Sequence, residues 1–159
     1  MPSTASFRLV GLPYEQFAPL FDKSDAELAV LHIERRFADT DFGFPCRVSL
    51  QDARPGDELL LLSFMHQPGD SPYRASGPIF VRRGAVPADL VPGELPPYLT
   101  RRQISLRAYD AAHLMVEAEV CEGGEAAPLI EAMLARSDVA YIHLHNAKRG
   151  CYSCMAVRA

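Results

Sequence analysis

Two histidines and two cysteines crowd one stretch near the C-terminus, YIHLHNAKRGCYSC, running from Tyr141 to Cys154. Imidazole and thiolate are common ligands of transition metals, and a C-x-x-C also suits disulfide chemistry. Side chains alternate across a strand, so Tyr141, His143 and His145 share one face, while Ala140, Ile142 and Leu144 share the other. The aliphatic face is expected to meet the core. The two imidazoles then point away from it, about 6–7 Å apart, close enough to contact one ligand. NAKRG reads as a five-residue turn in which Gly150 supplies a positive φ. That register sets His145 opposite Cys151 and His143 opposite Ser153. Cys151 then lies on the histidine face and Cys154 on the aliphatic face, and changing the loop by one residue exchanges them. In a regular hairpin the two sulfurs never share a face. A His/His/Cys/Cys zinc site would need a bulge, so no metal and no cofactor are expected. A Cys151–Cys154 disulfide is not expected either. Three residues of extended strand span about 10 Å, beyond the ~7 Å between bridged Cα atoms.

Other residues offer different chemistry. Cys46 shares a strand face with Val48 and Leu50, the setting of a core cysteine. As a nucleophile it would need a histidine in reach, and His66, at the end of the neighbouring strand, is the candidate; Cys151 is the alternative nucleophile. His66 precedes a Pro/Gly/Ser-rich loop, QPGDSPYRASG, that carries Tyr73 and Arg74. A guanidinium is a bidentate fork for carboxylate or phosphate, or else it pins the carbonyls of its own loop. If this loop folds back over the closing hairpin, His66, Tyr73, Arg74, His143, His145 and Asn146 form one donor-rich cluster suited to a small anion. His32 and His113 read as structural or exposed. The chain has no P-loop, G-x-G-x-x-G, H-E-x-x-H, G-x-S-x-G or EF-hand loop.

The strings GFPCRVSL, HQPGDSPYRASGPIFVR, RAYDAAHLMVEAEV and AYIHLHNAKRGC resemble a bacterial family catalogued as domain of unknown function 1203. The resemblance runs from about Phe7 to the C-terminus. It carries over to Cys46, Arg47, His66, Gln67, Pro68, Ser71, Tyr73, Arg74, His143, His145, Asn146 and Cys151. Cys154 departs from the pattern, which makes the C-x-x-C incidental to this member. The resemblance implies no activity.

The elements that must position these residues are mostly strands. FRLVGL reads as a first strand and YEQFAPLF as a turn or two of helix. SDAELAVL is a short helix in which Ser24 and Glu27 can form a capping box. IERRFAD reads as a strand. Cys46, Val48 and Leu50 alternate with Arg47, Ser49 and Gln51, a half-buried strand, and Leu59–Leu62 reads as a strand covered on both faces. PIFVR follows the loop. GAVPADLVPGELPPYLTRR is a long irregular connection, either a lid or a cover over a sheet edge. QISLRAYD and HLMVEAEVCEG form a strand pair, with Leu114, Val116, Ala118 and Val120 on one face. APLIEAMLARSD is the best helix, with Pro128 in its first turn. The resulting expectation is a single α+β domain over 1–159, with residues 1–6 flexible. Its mostly antiparallel sheet has about seven or eight strands, curled or barrel-like, with two or three helices.

Composition narrows the function classes. The chain has 159 residues, a net charge of −4 and 48% hydrophobic residues, an ordinary globular balance. Its basic residues fall in scattered pairs rather than a stripe, which argues against nucleic acid. No apolar run approaches a membrane span. No basic region followed by an apolar stretch marks a signal peptide. Four cysteines without export signals point to a reducing cytoplasm. Three functions fit: a module binding a small anionic ligand, a cysteine-dependent enzyme using Cys46 or Cys151, or an interaction module using Pro87–Pro97. The oligomeric partner is open.

Overall fold

A computed structural model describes residues 6–159. The flexible N-terminus expected over residues 1–6 lies outside the described residues except for Ser6. Among the described residues, ten strands form two five-stranded sheets. In the first sheet the order is β1 (Phe7–Val10), β10 (Tyr152–Arg158), β9 (Tyr141–Asn146), β7 (Gln103–Tyr109), β8 (Met115–Glu122), antiparallel throughout. In the second the order is β2 (Glu34–Phe37), β5 (Glu58–Gln67), β6 (Ala75–Arg82), β3 (Pro45–Cys46), β4 (Gln51–Asp52), with β3 parallel to β6. Three α-helices complete the fold: α1 (Asp25–Val30), α2 (Pro97–Thr100) and α3 (Ala126–Leu134). This is an α+β domain with largely antiparallel sheets. It divides its strands between two sheets instead of curling one into a barrel.

Alternation builds the first core. Ile104, Leu106 and Ala108 of β7, Ile142 and Leu144 of β9, Cys154 and Ala156 of β10, and Phe7 and Leu9 of β1 are all buried. They pack with Ile130, Met133 and Leu134 of α3 and with Tyr98 and Leu99 of α2. The second core joins Leu60 and Leu62 of β5 to Ile79 and Val81 of β6, under Phe17, Phe21 and Leu28. Tyr152 belongs to this second core, although its strand is in the first sheet. The capping box forms as expected: Ser24 Oγ accepts from Glu27 N–H, and Glu27 reaches back to Ser24 N–H.

Two expectations change, and one open alternative is decided. The segment after Cys46 is not a strand, because Leu50 N–H bonds back to Cys46 O in a tight turn. That turn buries Arg47 and Ser49 as well as Val48. The Leu114–Val120 face is largely exposed, with Leu114 at 41% and Val120 at 58%, because the register sets Val120 beside Ser105 and Ala118 beside Arg107, on the face of β7 opposite its buried Ile104, Leu106 and Ala108. The proline-rich connection is a cover: Gly93 N–H bonds Phe7 O on edge strand β1, and Leu90 and Leu95 pack on the first core. Among the described residues no helix is long and apolar enough to cross a membrane.

Candidate functional site

The closing hairpin sets the geometry. Its loop is one residue shorter than expected: Asn146 N–H bonds Cys151 O, Gly150 adopts φ +77°, and His145 pairs with Tyr152. This removes Cys151 from the histidine face. A bulge between Tyr152 and Cys154 then returns Cys154 to the aliphatic face, opposite Leu144. Neither thiol joins the imidazoles, and all four cysteines are free.

The imidazoles point away from the aliphatic core, as expected, but into a second buried layer and not into solvent. His143 is 4% exposed and His145 1%. The second sheet covers them there. On β5 the side chains of Leu60, Leu62, Phe64 and His66 follow one face, so the strand delivers His66 against the hairpin. Its ring lies 4.9 Å from that of His145 and 6.2 Å from that of His143, and it stacks on Tyr152 at 5.6 Å. One nitrogen from each of His66, His143 and His145 falls within 4.8 Å of the other two.

The hydrogen bonding leaves these rings unsatisfied. His145 Nδ1 lies 2.9 Å from Gly150 O. A carbonyl only accepts, so Nδ1 carries the proton and the lone pair of the neutral ring sits on Nε2. Among the described residues His145 Nε2, His66 Nδ1 and His143 Nδ1 are all buried with no hydrogen-bond partner. Such orphans are rare in a packed interior. Burial, reinforced by neighbouring rings and Arg107, holds His143 down to about 3 and His145 down to about 4. His66 is also lowered, by burial and then by Arg107. All three imidazoles are therefore neutral at pH 7.

Arg107 and Tyr109 belong to this site, though the sequence reading passed over both. On β7, Arg107 pairs with His143 and Tyr109 with Tyr141. Cross-strand partners share a face. The signal was the alternation of QISLRAY, legible once β7 is laid beside β9. The Arg107 guanidinium donates to Ser105 Oγ at 3.2 Å and forms no ion pair among the described residues. The rings of Tyr109 and Tyr141 stack at 5.3 Å, and Tyr109 lies 5.0 Å from His143. Tyr73 meets Tyr109 edge-on at 6.0 Å.

The end of β5 and the loop of residues 68–74 that follows it close one end of the cluster. Gln67 Nε2 donates to Tyr141 Oη, Ser71 Oγ donates to His113 O, and His113 Nδ1 lies 2.8 Å from Tyr141 Oη. His113 is therefore part of the rim and not an isolated residue. Gly69 sits so near it that a Cβ there would fall 2.4 Å from His113 Cγ. Arg74 is exposed and donates to Pro68 O at 2.9 Å, pinning its own loop. Asn146, at the far end of β9, bonds Cys151 Sγ at 3.6 Å and lines a cleft with it. Of the six residues expected together, His66, His143 and His145 converge, Tyr73 stands at the rim, and Arg74 and Asn146 lie apart. Cys46 is fully buried, its sulfur accepting from Arg82 N–H. Among the described residues no hydrogen bond joins a cysteine to a histidine.

Three nearby neutral imidazoles with unpartnered nitrogens are residues that could hold a divalent transition metal. Bonds of about 2.0–2.1 Å require nitrogens about 3.3 Å apart in a tetrahedral site. The three nitrogens lie within 4.8 Å of one another, so binding a metal would draw the rings closer together. The Nδ1–H bond of His145 to a backbone carbonyl is the kind of outer contact that orients a ligating imidazole.

A family model described as protein of unknown function (DUF1203) matches residues 43–158. No curated protein and no solved structure matches the chain. All three imidazoles fall within the matched region.

Proposed function

The chain belongs to the DUF1203 family of unknown function, so its role has to be read from the site, and we propose that it binds a divalent transition metal through His66, His143 and His145. The metal would present a small anionic ligand beside Arg107. The observation that carries this is the convergence of three imidazole nitrogens within 4.8 Å of one another. The three buried, unpartnered ring nitrogens support it. Imidazole donors suit zinc, copper, iron or nickel. Three protein ligands leave a fourth position open, the arrangement of catalytic zinc sites.

The charge balance favours an anion at that open position. Neutral imidazoles do not offset a dication, and Arg107 adds another positive charge with no carboxylate partner. A metal-bound hydroxide, carboxylate or phosphate would be held by the metal and faced by the guanidinium. The aromatic rings of Tyr109, Tyr141 and Tyr152 lower the local dielectric and strengthen both contacts. We also propose a reducing bacterial cytoplasm as its location, a reading supported by the four free cysteines.

A thermal-shift titration of chelator-treated protein with zinc tests the proposal. Zinc at about 100 times its dissociation constant adds about 2.7 kcal/mol, or roughly 5–10 °C in Tm at this chain length. His66→Ala should abolish the gain with the circular dichroism unchanged. Acetate or phosphate should stabilise further only when zinc is present, and less so in Arg107→Gln. No zinc response in the wild type, or a full response in both His66→Ala and His143→Ala, would remove the reading.

A further inference from the structure

On the other side of the closing hairpin lies a second feature, independent of the imidazoles. An open cleft of about 400 Å³ runs between the two sheets. Its floor is apolar, built from Pro45, Leu61, Pro78 and Phe80. Its cations are Arg47, Arg101, Arg102, Lys148 and Arg149, and no carboxylate lines it. Arg101 and Arg102 share the single carboxylate of Asp52. Lys148 and Arg149 form no ion pair among the described residues. In a chain of net charge −4 this is a strong local excess of positive charge.

Arg47 makes the cleft more than a basic surface. It is 1% exposed. Its Nε donates to Tyr152 O at 2.7 Å, its Nη1 to Pro45 O at 2.6 Å, and its Nη2 to Cys151 Sγ at 3.1 Å. None of these acceptors is a carboxylate. A buried guanidinium ordinarily has a counter-charge, and here two of its five N–H groups are uncommitted as well. Beside it Asn146 Oδ1 is buried without a partner. A fixed positive charge with two uncommitted N–H donors and an apolar lining meet at one place.

We infer that this cleft is a second binding site, for a small organic anion with a planar apolar body, such as an aryl phosphate or aryl carboxylate. The anionic group sits between Arg47 and the Lys148–Arg149 turn, and the ring lies on Phe80 and the prolines. Cys151, half-buried against Arg47, reports on its occupancy.

Site-resolved alkylation by mass spectrometry provides the test, with Cys121 as the internal control. Cys121 is also half-buried but lies in the field of Glu119, Glu122 and Glu125. The ratio of iodoacetate to iodoacetamide labelling should be about tenfold higher at Cys151 than at Cys121, the scale of electrostatic focusing in a charged cleft. Phenyl phosphate should protect Cys151 from iodoacetamide, phenol should not, and neither should affect Cys121. The K148Q/R149Q double variant, altered only in an exposed turn, should lose most of the protection with unchanged circular dichroism. His66→Ala without metal should keep it, which separates this site from the imidazole site. Equal reagent ratios at the two cysteines, or protection by phenol as good as by phenyl phosphate, would overturn the inference.

Discussion

At the residue scale the informative quantity is the solvation of three imidazoles. In the unfolded chain they protonate near 6.5; in the fold, burial holds His143 to about 3 and His145 to about 4. Between these values the unfolded state binds more protons than the folded one, so it gains stability as pH falls. The metal-free protein should therefore lose stability from about pH 6.5 down towards about pH 4. Urea midpoints measured across that range should fall, and should fall less in His143→Gln; parallel curves for the two proteins would contradict this. Tyr141 sits at a different kind of node, its hydroxyl contacted by both Gln67 and His113. Tyr141→Phe strands both partners and should cost about 1–3 kcal/mol in chemical denaturation; a neutral result would mean that the loop is held by other contacts.

At the scale of elements, the site depends on how a loop and a hairpin are seated. Gly69→Ala would drive a methyl group into the base of the His113 side chain. Overpacking of this kind costs about 1–3 kcal/mol, and hydrogen exchange should rise over residues 67–77 while α3 stays protected. Much of this level was legible in sequence. The capping box of α1, the helix after Pro128, the faces of β9 and the paired β7 and β8 follow from spacing alone. The register of the last hairpin did not, because its loop is one residue shorter and a bulge at Tyr152–Cys154 absorbs the slip. Alternation of Cys46, Val48 and Leu50 suggested a strand, but a turn with Leu50 at φ +53° buries both faces. His66 could be placed at a strand end beside a loop. Its arrival on the histidine face required knowing that β5 lies in a second sheet across from β9, and no local pattern encodes that.

At the scale of the whole molecule, the two sheets are tied by polar anchors as well as by Tyr152. Asp52 of β4 is almost wholly buried and holds Arg101 and Arg102, which lead into β7 of the other sheet. Asp52→Ala leaves two guanidinium groups without their shared partner. The expected loss is about 2–3 kcal/mol, or roughly 5–10 °C in Tm. A Tm within about 2 °C of wild type would show that the sheets are held by apolar contact alone. The division into two sheets also accounts for the placement of the candidate sites: both lie where the sheets face each other, one lined by neutral imidazoles and the other by cations in excess of their one shared carboxylate.

The most direct measurement is a cobalt(II) absorption titration of chelator-treated protein. The account predicts visible ligand-field bands that saturate at one equivalent, are abolished in His143→Ala and in His66→Ala, and persist when Cys151 is replaced by serine. A spectrum that stays that of aqueous cobalt through several equivalents, or bands lost on replacing Cys151 but kept without His143, would contradict it.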